Sequence, residues 1–267
     1  MMEAKTLLLE KEFGILTVYF NRPKARNALS LQMVEELEEV LKEAESDDSV
    51  RAIVLRGSGK HFCAGGDIKD MATARMKPSG DVDPIAELNR RFGTLITKFN
   101  ACLKTVVVVV QGAAMGGGFG LVCVADIVLA DESAKFKLPE TSLGVPPAQI
   151  APFLVYRIGL AKARRFALTG ASLKAQQAYE QGLVDILVND DDELEAALDE
   201  LRAQIRKCAP KASQQTKKIL LAVGTMDHEV LLDWGAEQFS QAIRKGEGME
   251  GMMAFMQRRK AKWAVES

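Results

Sequence analysis

Histidine is scarce in this chain of 267 residues, which contains only His61 and His228. A histidine-based catalytic triad or a metal site with several histidine ligands is therefore hard to assemble. His61 adjoins a glycine-rich turn, and we interpret it as a surface or packing residue rather than a base. The sequence accordingly gives no reason to expect a metal ion.

Cysteine and long apolar runs are limited as well. The thiols of Cys63, Cys102, Cys123 and Cys208 match no metal-binding spacing. The N-terminus lacks the apolar core of a signal peptide, and no apolar run is long enough to span a bilayer. We therefore expect a cytoplasmic protein without disulfides, in which Cys63 serves as a small packing residue.

Net charge is almost absent, because 35 Lys and Arg residues balance 36 Asp and Glu residues. Bulk attraction to nucleic acid or to a membrane is therefore not indicated. The acidic run at residues 190–193 is predicted to be a solvated turn and helix start, since nothing nearby completes a ligand set. Hydrophobic residues, by contrast, make up 48% of the chain, enough for a sizeable core.

Short apolar runs alternate with amphipathic segments in the N-terminal half, which predicts an α/β core. Ser30 precedes apolar residues at helical spacing and is predicted to cap a helix. Ser172 is predicted to cap another helix, which continues to Gly182. The predicted strands are 15–20, 51–55, 106–110, 127–130 and 184–188, and the later predicted helices include 154–168, 194–208, 226–244 and 249–263.

Two glycine-rich turns, residues 62–68 and 112–118, each follow an apolar strand-like run. Such turns leave backbone N–H groups unpaired at a helix start, where they stabilise negative charge. Two N–H groups that converge on one oxygen form an oxyanion hole. For either turn alone, an ordinary tight turn or a close backbone approach explains the glycines as well as an oxyanion hole does. Neither turn is a phosphate-binding loop. Both lack a Gly-Lys-Ser/Thr ending, and neither has the full Gly-x-Gly-x-x-Gly spacing followed by a well-placed acidic residue.

Five segments in order resemble the crotonase family, the enoyl-CoA hydratase/isomerase superfamily, over nearly the whole chain. They are residues 21–29 (Asn-Arg-Pro-Lys-Ala-Arg-Asn-Ala-Leu), 62–71, 111–126, 136–140 (Phe-Lys-Leu-Pro-Glu) and 250–255. The resemblance implies an α/β fold with a crotonase-like spiral of ββα units over residues 1–195. It also implies a C-terminal helical trimerisation region over residues 196–267, and hence a homotrimer or a dimer of trimers.

The resemblance also assigns roles to residues. The amides of Gly66 and Gly117 would hold a thioester carbonyl oxygen, and Glu140 would move a proton. Coenzyme A is part of the acyl-CoA substrate, so no separate cofactor is expected. The implied substrate- and CoA-binding positions are Lys24, Ala25, Arg26, Ala28, Ala64, Gly65, Asp67, Ile68, Met115, Gly116, Pro139 and Gln149, with Phe255 and Arg258 supplied by a neighbouring subunit.

One position departs from the family pattern. Typical two-glutamate hydratases carry their second glutamate where this chain has Gly120, which gives room and removes a negative charge. Phe119-Gly120 and the segment 146–152 resemble family hydratases of branched glutaconyl-CoA substrates, such as isohexenylglutaconyl-CoA. A substrate that carries its own carboxylate would suit this change.

Several functions stay open. Glu140 alone could support hydration, with water held by Gln149 or by a substrate carboxylate. It could instead move a proton between carbons, which isomerises a double bond without water. A third alternative is a protein that only binds acyl-CoA, and RNA binding is a minor one.

Overall fold

A computed structural model describes residues 4–78 and 80–264 of the chain. Its larger sheet has the strand order β1-β2-β3-β4-β6-β9, and a smaller sheet has the order β5-β7-β8. Within the larger sheet, β1 and β2 are antiparallel and all other neighbours are parallel. The strands are β1 Leu7–Glu12, β2 Ile15–Phe20, β3 Ala52–Gly57, β4 Thr105–Val110, β5 Ala113–Met115, β6 Ile127–Asp131, β7 Lys135–Lys137, β8 Ser172–Lys174 and β9 Ile186–Val188.

Helices follow most of the strands and form the C-terminal part of the chain. Short 3-10 turns cover Pro23–Ala25 and Glu140–Leu143. In the described part of the chain, no helix combines the length and apolar character needed to cross a bilayer. The α-helices are α1 Leu31–Ser46, α2 Ile68–Met76, α3 Pro84–Ala101, α4 Gly117–Val124, α5 Ala151–Ile158, α6 Leu160–Thr169, α7 Ala175–Glu180, α8 Asp191–Lys207, α9 Pro210–Ala222, α10 His228–Lys245 and α11 Glu247–Met256.

The β4 strand shows why the core has two faces. Successive side chains of a strand point to opposite sides of the sheet. Val108 belongs to the larger apolar cluster, together with Leu37 of α1 and Phe99 of α3. Val107 belongs to a second cluster with Leu194 of α8. Both faces are therefore covered by helices, as expected for parallel strands.

Two predicted helix starts are confirmed. The Ser30 hydroxyl accepts a hydrogen bond from the Met33 N–H at 3.2 Å and caps α1. The Asp190 carboxylate accepts one from the Glu193 N–H at 2.9 Å and caps α8. The acidic run is therefore a helix start, where carboxylates also interact favourably with the helix dipole.

Three helix predictions are wrong in detail. Ser172 caps no helix but begins β8, because this segment pairs with β7. The helix predicted over residues 154–168 is broken into α5 and α6 at Gly159, whose φ is +80°. The last helix ends at Met256, just before Arg258 adopts a left-handed φ of +52°. The predicted division between residues 195 and 196 falls inside α8 and stays a prediction.

Candidate active site

The two glycine-rich turns lie side by side. The Cys63 N–H donates to the Ala113 carbonyl at 2.9 Å, and the Met115 N–H donates to the Cys63 carbonyl at 2.9 Å. A β-carbon at Gly65 would lie 3.1 Å from the Met115 carbonyl oxygen, and the φ of Gly65 is +102°. Glycine is favoured here because a side chain would be strained in this backbone conformation and would crowd the second turn.

The amides of Gly66 and Gly117 stay available at the ends of these turns. Gly66 precedes Asp67, the N-cap of α2, and Gly117 is the first residue of α4. On either side of Gly66, the Gly65 carbonyl and the Asp67 N–H form hydrogen bonds with the backbone of Leu29. Within residues 4–78 and 80–264, no acceptor forms a hydrogen bond with the N–H of Gly66 or of Gly117. N–H groups at helix starts lack intrahelical partners and carry the positive end of the helix dipole.

Glu140 is brought to the same place by the smaller sheet. The Gly116 N–H donates to the Lys137 carbonyl at 3.0 Å, at the end of the β5–β7 pairing. After Pro139 the chain turns, and Glu140 begins a 3-10 turn. Its Oε1 lies 3.1 Å from the place that a β-carbon of Gly116 would occupy. The carboxyl group therefore faces the second glycine turn.

The Glu140 carboxyl group is poorly solvated and incompletely paired. Its Oε2 atom is buried and has no hydrogen-bond partner in the part of the chain that the structure describes. Burial raises the pKa of Glu140 above its ordinary value, because a low-dielectric environment disfavours the charged form. A carboxyl group with a raised pKa can accept and return a proton near neutral pH.

Apolar groups occupy the space beside Gly120. A β-carbon there would lie 3.1 Å from Cζ of Phe92 and 3.1 Å from Cγ1 of Ile150. Phe92 is only partly buried and packs against the main core. The room that the sequence suggested at Gly120 is thus filled by an aromatic ring and an isoleucine.

Gln149 is turned toward α3. Its Nε2 donates to Oδ1 of Asn89 at 3.0 Å. A β-carbon at Gly93 would lie 1.9 Å from the Gln149 Oε1 atom, so the carboxamide fits only because residue 93 is glycine. This contact fixes the segment before α5 to α3, next to Phe92. A role for Gln149 in holding water stays a prediction.

The segments predicted to bind coenzyme A are adjacent. The Ala64 N–H donates to the Arg26 carbonyl at 3.0 Å, and the Leu29 N–H donates to the Gly65 carbonyl at 2.8 Å. Lys24 and Arg26 are exposed. Positions 24–28 and 64–68 therefore form one continuous edge, with two basic side chains free to meet a phosphate.

Asn27 supports this edge and was missed by the sequence analysis. It is fully buried and has a left-handed φ of +56°. Its Nδ2 donates to the carbonyls of Ser58 at 3.0 Å and His61 at 2.7 Å. Its Oδ1 accepts from the Arg22 N–H at 2.9 Å. The available signal was an asparagine inside a basic turn, since asparagine tolerates the left-handed region.

Two neighbouring residues have structural roles. The Cys63 thiol is fully buried, and burial raises its pKa to about 12, which keeps it protonated. His61 Nδ1 accepts from the Ala113 N–H at 3.2 Å. The burial of Cys63 agrees with its interpretation as a packing residue, and the half-buried His61 contacts the second glycine turn. The described residues contain no group of His, Cys, Asp and Glu side chains arranged to hold a metal ion.

For the other predicted binding positions, the structure gives contacts and exposure but does not test a role. Asp67 pairs with Arg22 at 2.7 Å as well as capping α2, and Ile68 is 80% exposed at the start of that helix. In the C-terminal part, α11 packs on α9 and α10, and the Phe255 ring is 86% exposed. The contribution of Phe255 and Arg258 to a neighbouring subunit stays a prediction.

Comparison with known proteins identifies the family. A model of the enoyl-CoA hydratase/isomerase family matches residues 10–266. The chain belongs to this family. The crystal structure of an enoyl-CoA hydratase/isomerase from Marinobacter aquaeolei matches with 51% identity and a TM-score of 0.95, covering 97% of this chain and 99% of that one. The predicted crotonase-like α/β fold is therefore confirmed.

Two relatives from Escherichia coli strain K12 show the range of this enoyl-CoA hydratase/isomerase family. A 2,3-dehydroadipyl-CoA hydratase is 33% identical over 258 residues, which cover 95% of this chain and 96% of the relative. A 1,2-epoxyphenylacetyl-CoA isomerase is 32% identical over 254 residues, with 95% and 96% coverage. The prediction of an enzyme of this family is confirmed, and both hydratases and isomerases are among its relatives.

Proposed function

We propose that this protein is an enoyl-CoA hydratase, which adds water to an α,β-unsaturated acyl-CoA thioester. The observation that carries the proposal is the buried, unpartnered Oε2 of Glu140 beside the second glycine turn. An orphaned buried carboxyl oxygen is costly, and such groups cluster at functional sites. A substrate or water bound in front of Glu140 would give this oxygen its missing partner.

The amides of Gly66 and Gly117 donate hydrogen bonds to the thioester carbonyl oxygen. This oxygen gains negative charge as the acyl group becomes an enolate. Each such donor lowers the barrier by about 3 kcal/mol when its position is fixed in advance. The Gly117 N–H is at the start of α4 and the Gly66 N–H lies just before the N-cap of α2, which supports this role.

Glu140 transfers the proton in both halves of the reaction. In its ionised form it takes a proton from water while the water oxygen bonds to C3 of the enoyl group. The electrons of the C2–C3 double bond move onto the thioester oxygen, which the two amides hold. The enolate then returns these electrons to C2, which takes the proton from Glu140. One water molecule is added, and Glu140 ends as it began.

Substrate binding uses the continuous edge formed by residues 24–28 and 64–68. Lys24 and Arg26 meet the phosphates of coenzyme A, and the backbone near Ala28 and Ala64 receives the adenine. Met115, Gly116 and Pro139 line the thioester region. The coenzyme A moiety comes with the substrate, so the proposal needs no separate cofactor.

The proposal includes an assembly of three subunits, or two such trimers. Phe255 and Arg258 of one subunit then complete the coenzyme A site of the next. The exposure of the Phe255 ring supports this arrangement, because an exposed aromatic side chain gains from burial in an interface.

Double-bond isomerisation is the second candidate. The observation that favours it is the apolar surroundings of Gly120, where Phe92 and Ile150 replace a water-holding acid. In this reaction Glu140 removes a proton from C2 of a 3-enoyl thioester and returns it to C4. No water is consumed, and the same two amides hold the intermediate enolate.

Spectroscopy of a substrate panel separates these candidates. A hydratase removes the absorbance of a conjugated 2-enoyl thioester, whereas an isomerase creates it from a 3-enoyl thioester. Branched glutaconyl-type thioesters belong in the panel, since the predicted acyl group is of that kind. Binding of the panel without either reaction would overturn both candidates and favour a protein that only binds acyl-CoA.

A further inference from the structure

The Phe92 ring covers the glycine face of α4. Gly117 and Gly120 are three positions apart, so they lie on one side of the helix. Phe92 Cε2 lies 3.3 Å from the β-carbon position of Gly117, and Cζ lies 3.1 Å from that of Gly120. One aromatic ring therefore spans both glycine positions on this side of α4.

A second apolar side chain lies beside the other amide. The terminal methyl group of Met71 is 2.6 Å from the β-carbon position of Gly66. Met71 is 54% exposed, and Phe92 is partly buried. Met71 and Phe92 therefore each pack against one of the two glycines whose amides would hold the carbonyl oxygen of an acyl group.

These two side chains differ in their freedom to move. A methionine side chain is flexible and adapts to its surroundings, and Met71 reaches Gly66 with its far end. Phe92 has a rigid ring that packs against the main core and contacts both glycine positions of α4. It is therefore less adaptable than Met71.

We infer that Phe92 determines which acyl groups this enzyme accepts, by limiting the bulk of the acyl group beside the thioester. The inference rests on the proposed use of the Gly66 and Gly117 amides. The surface formed by Phe92, Ile150 and Leu29 is apolar, so the preferred acyl groups are apolar and slender at this point, which argues against the branched glutaconyl-type acyl group predicted from the sequence. Phe92 is a specificity-determining residue and takes no part in proton transfer.

The test compares a straight and a branched acyl group in Phe92→Ala and Phe92→Leu. Turnover of crotonyl-CoA and 3-methylcrotonyl-CoA gives kcat/KM for each. One methyl group in an apolar pocket changes kcat/KM about 10-fold or more. We expect Phe92→Ala to raise the branched-to-straight ratio by about 10-fold, and Phe92→Leu, which keeps more of the packing, to raise it less.

Phe153→Ala is the matched control. Phe153 is also a partly buried phenylalanine on the main core, and it is not among the groups nearest Gly117 or Gly120. Its truncation should lower stability without changing the branched-to-straight ratio. A ratio within twofold of wild type in both Phe92 variants would overturn the inference, as would an equal change in Phe153→Ala.

Calorimetric binding of butyryl-CoA and 3-methylbutyryl-CoA separates this inference from the proposed reaction. These saturated thioesters bind without reacting. A selective gain for the branched thioester in Phe92→Ala supports the role of Phe92 even if the wild-type protein turns over no enoyl thioester. Equal affinities for the two thioesters in wild type and variant would contradict it.

Discussion

Replacement of the Glu140 carboxyl group should change how stability depends on pH. Burial raises the pKa of Glu140 above its ordinary value of 4.5. Between the unfolded and folded pKa values, the folded protein binds more protons than the unfolded chain. Stability therefore falls as pH rises through this window. Glu140→Gln cannot titrate and should lack this part of the pH dependence.

The size of the effect follows from the environment of Oε2. The ionised Oε2 is a buried negative charge without a hydrogen-bond donor, and relative to a neutral carboxamide in the same partly buried place it costs about 1 kcal/mol. A change of 1 kcal/mol shifts the midpoint of a large domain by about 2–4 °C. We expect Glu140→Gln to gain roughly that much relative to wild type as the pH rises from the ordinary pKa of 4.5 through the raised pKa of the folded protein.

Thermal unfolding in a series of buffers from pH 5 to pH 8 measures this difference. The control is Glu132→Gln, which makes the same chemical change at an exposed position. Its curve should stay parallel to that of the wild type. If the Glu140→Gln curve is parallel as well, the carboxyl group carries no burial cost and the reasoning from its environment is refuted.

Two further substitutions test the glycine turns and the edge beside them. Gly117→Val should lower both turnover and the unfolding temperature, because its β-carbon would lie 2.9 Å from Leu29 Cδ1 and 3.3 Å from Phe92 Cε2, so that these side chains or the Gly117 amide must shift. Steady-state kinetics with unfolding curves check this, and full activity would exclude the role. Asn27→Ala should destabilise the protein by about 2–4 kcal/mol, since it leaves the partly buried carbonyls of Ser58 and His61 without their donor. It should also raise KM for acyl-CoA, and unchanged denaturant midpoint and KM would contradict that expectation.

The sequence was most informative where apolar runs are long. The strands β2, β3, β4 and β6 were predicted within one or two residues, because their side chains are almost continuously buried. The three-residue strands β5, β7 and β8 were missed. Such short segments show no periodicity, and they are strands only because they pair with one another. The same pairing overrode the capping signal at Ser172.

The residues of the candidate site likewise differ in how well the sequence could predict them. Motifs located Gly66, Gly117 and Glu140, since each lies in a segment whose local sequence resembles a known family. Phe92 could not be found in this manner, because its position depends on how α3 packs against α4. Its neighbour Gly93 lies inside α3, where it makes space for Gln149. Tertiary contacts of this kind leave no mark in a single sequence.

The central claim is that Glu140 transfers the proton while the two amides hold the thioester oxygen. The most direct test measures turnover and binding of one enoyl-CoA substrate in wild type and in Glu140→Gln. Loss of the titratable group should lower kcat by roughly 100-fold or more, with the acyl-CoA dissociation constant and the fold preserved. Turnover within a few-fold of wild type would contradict the account.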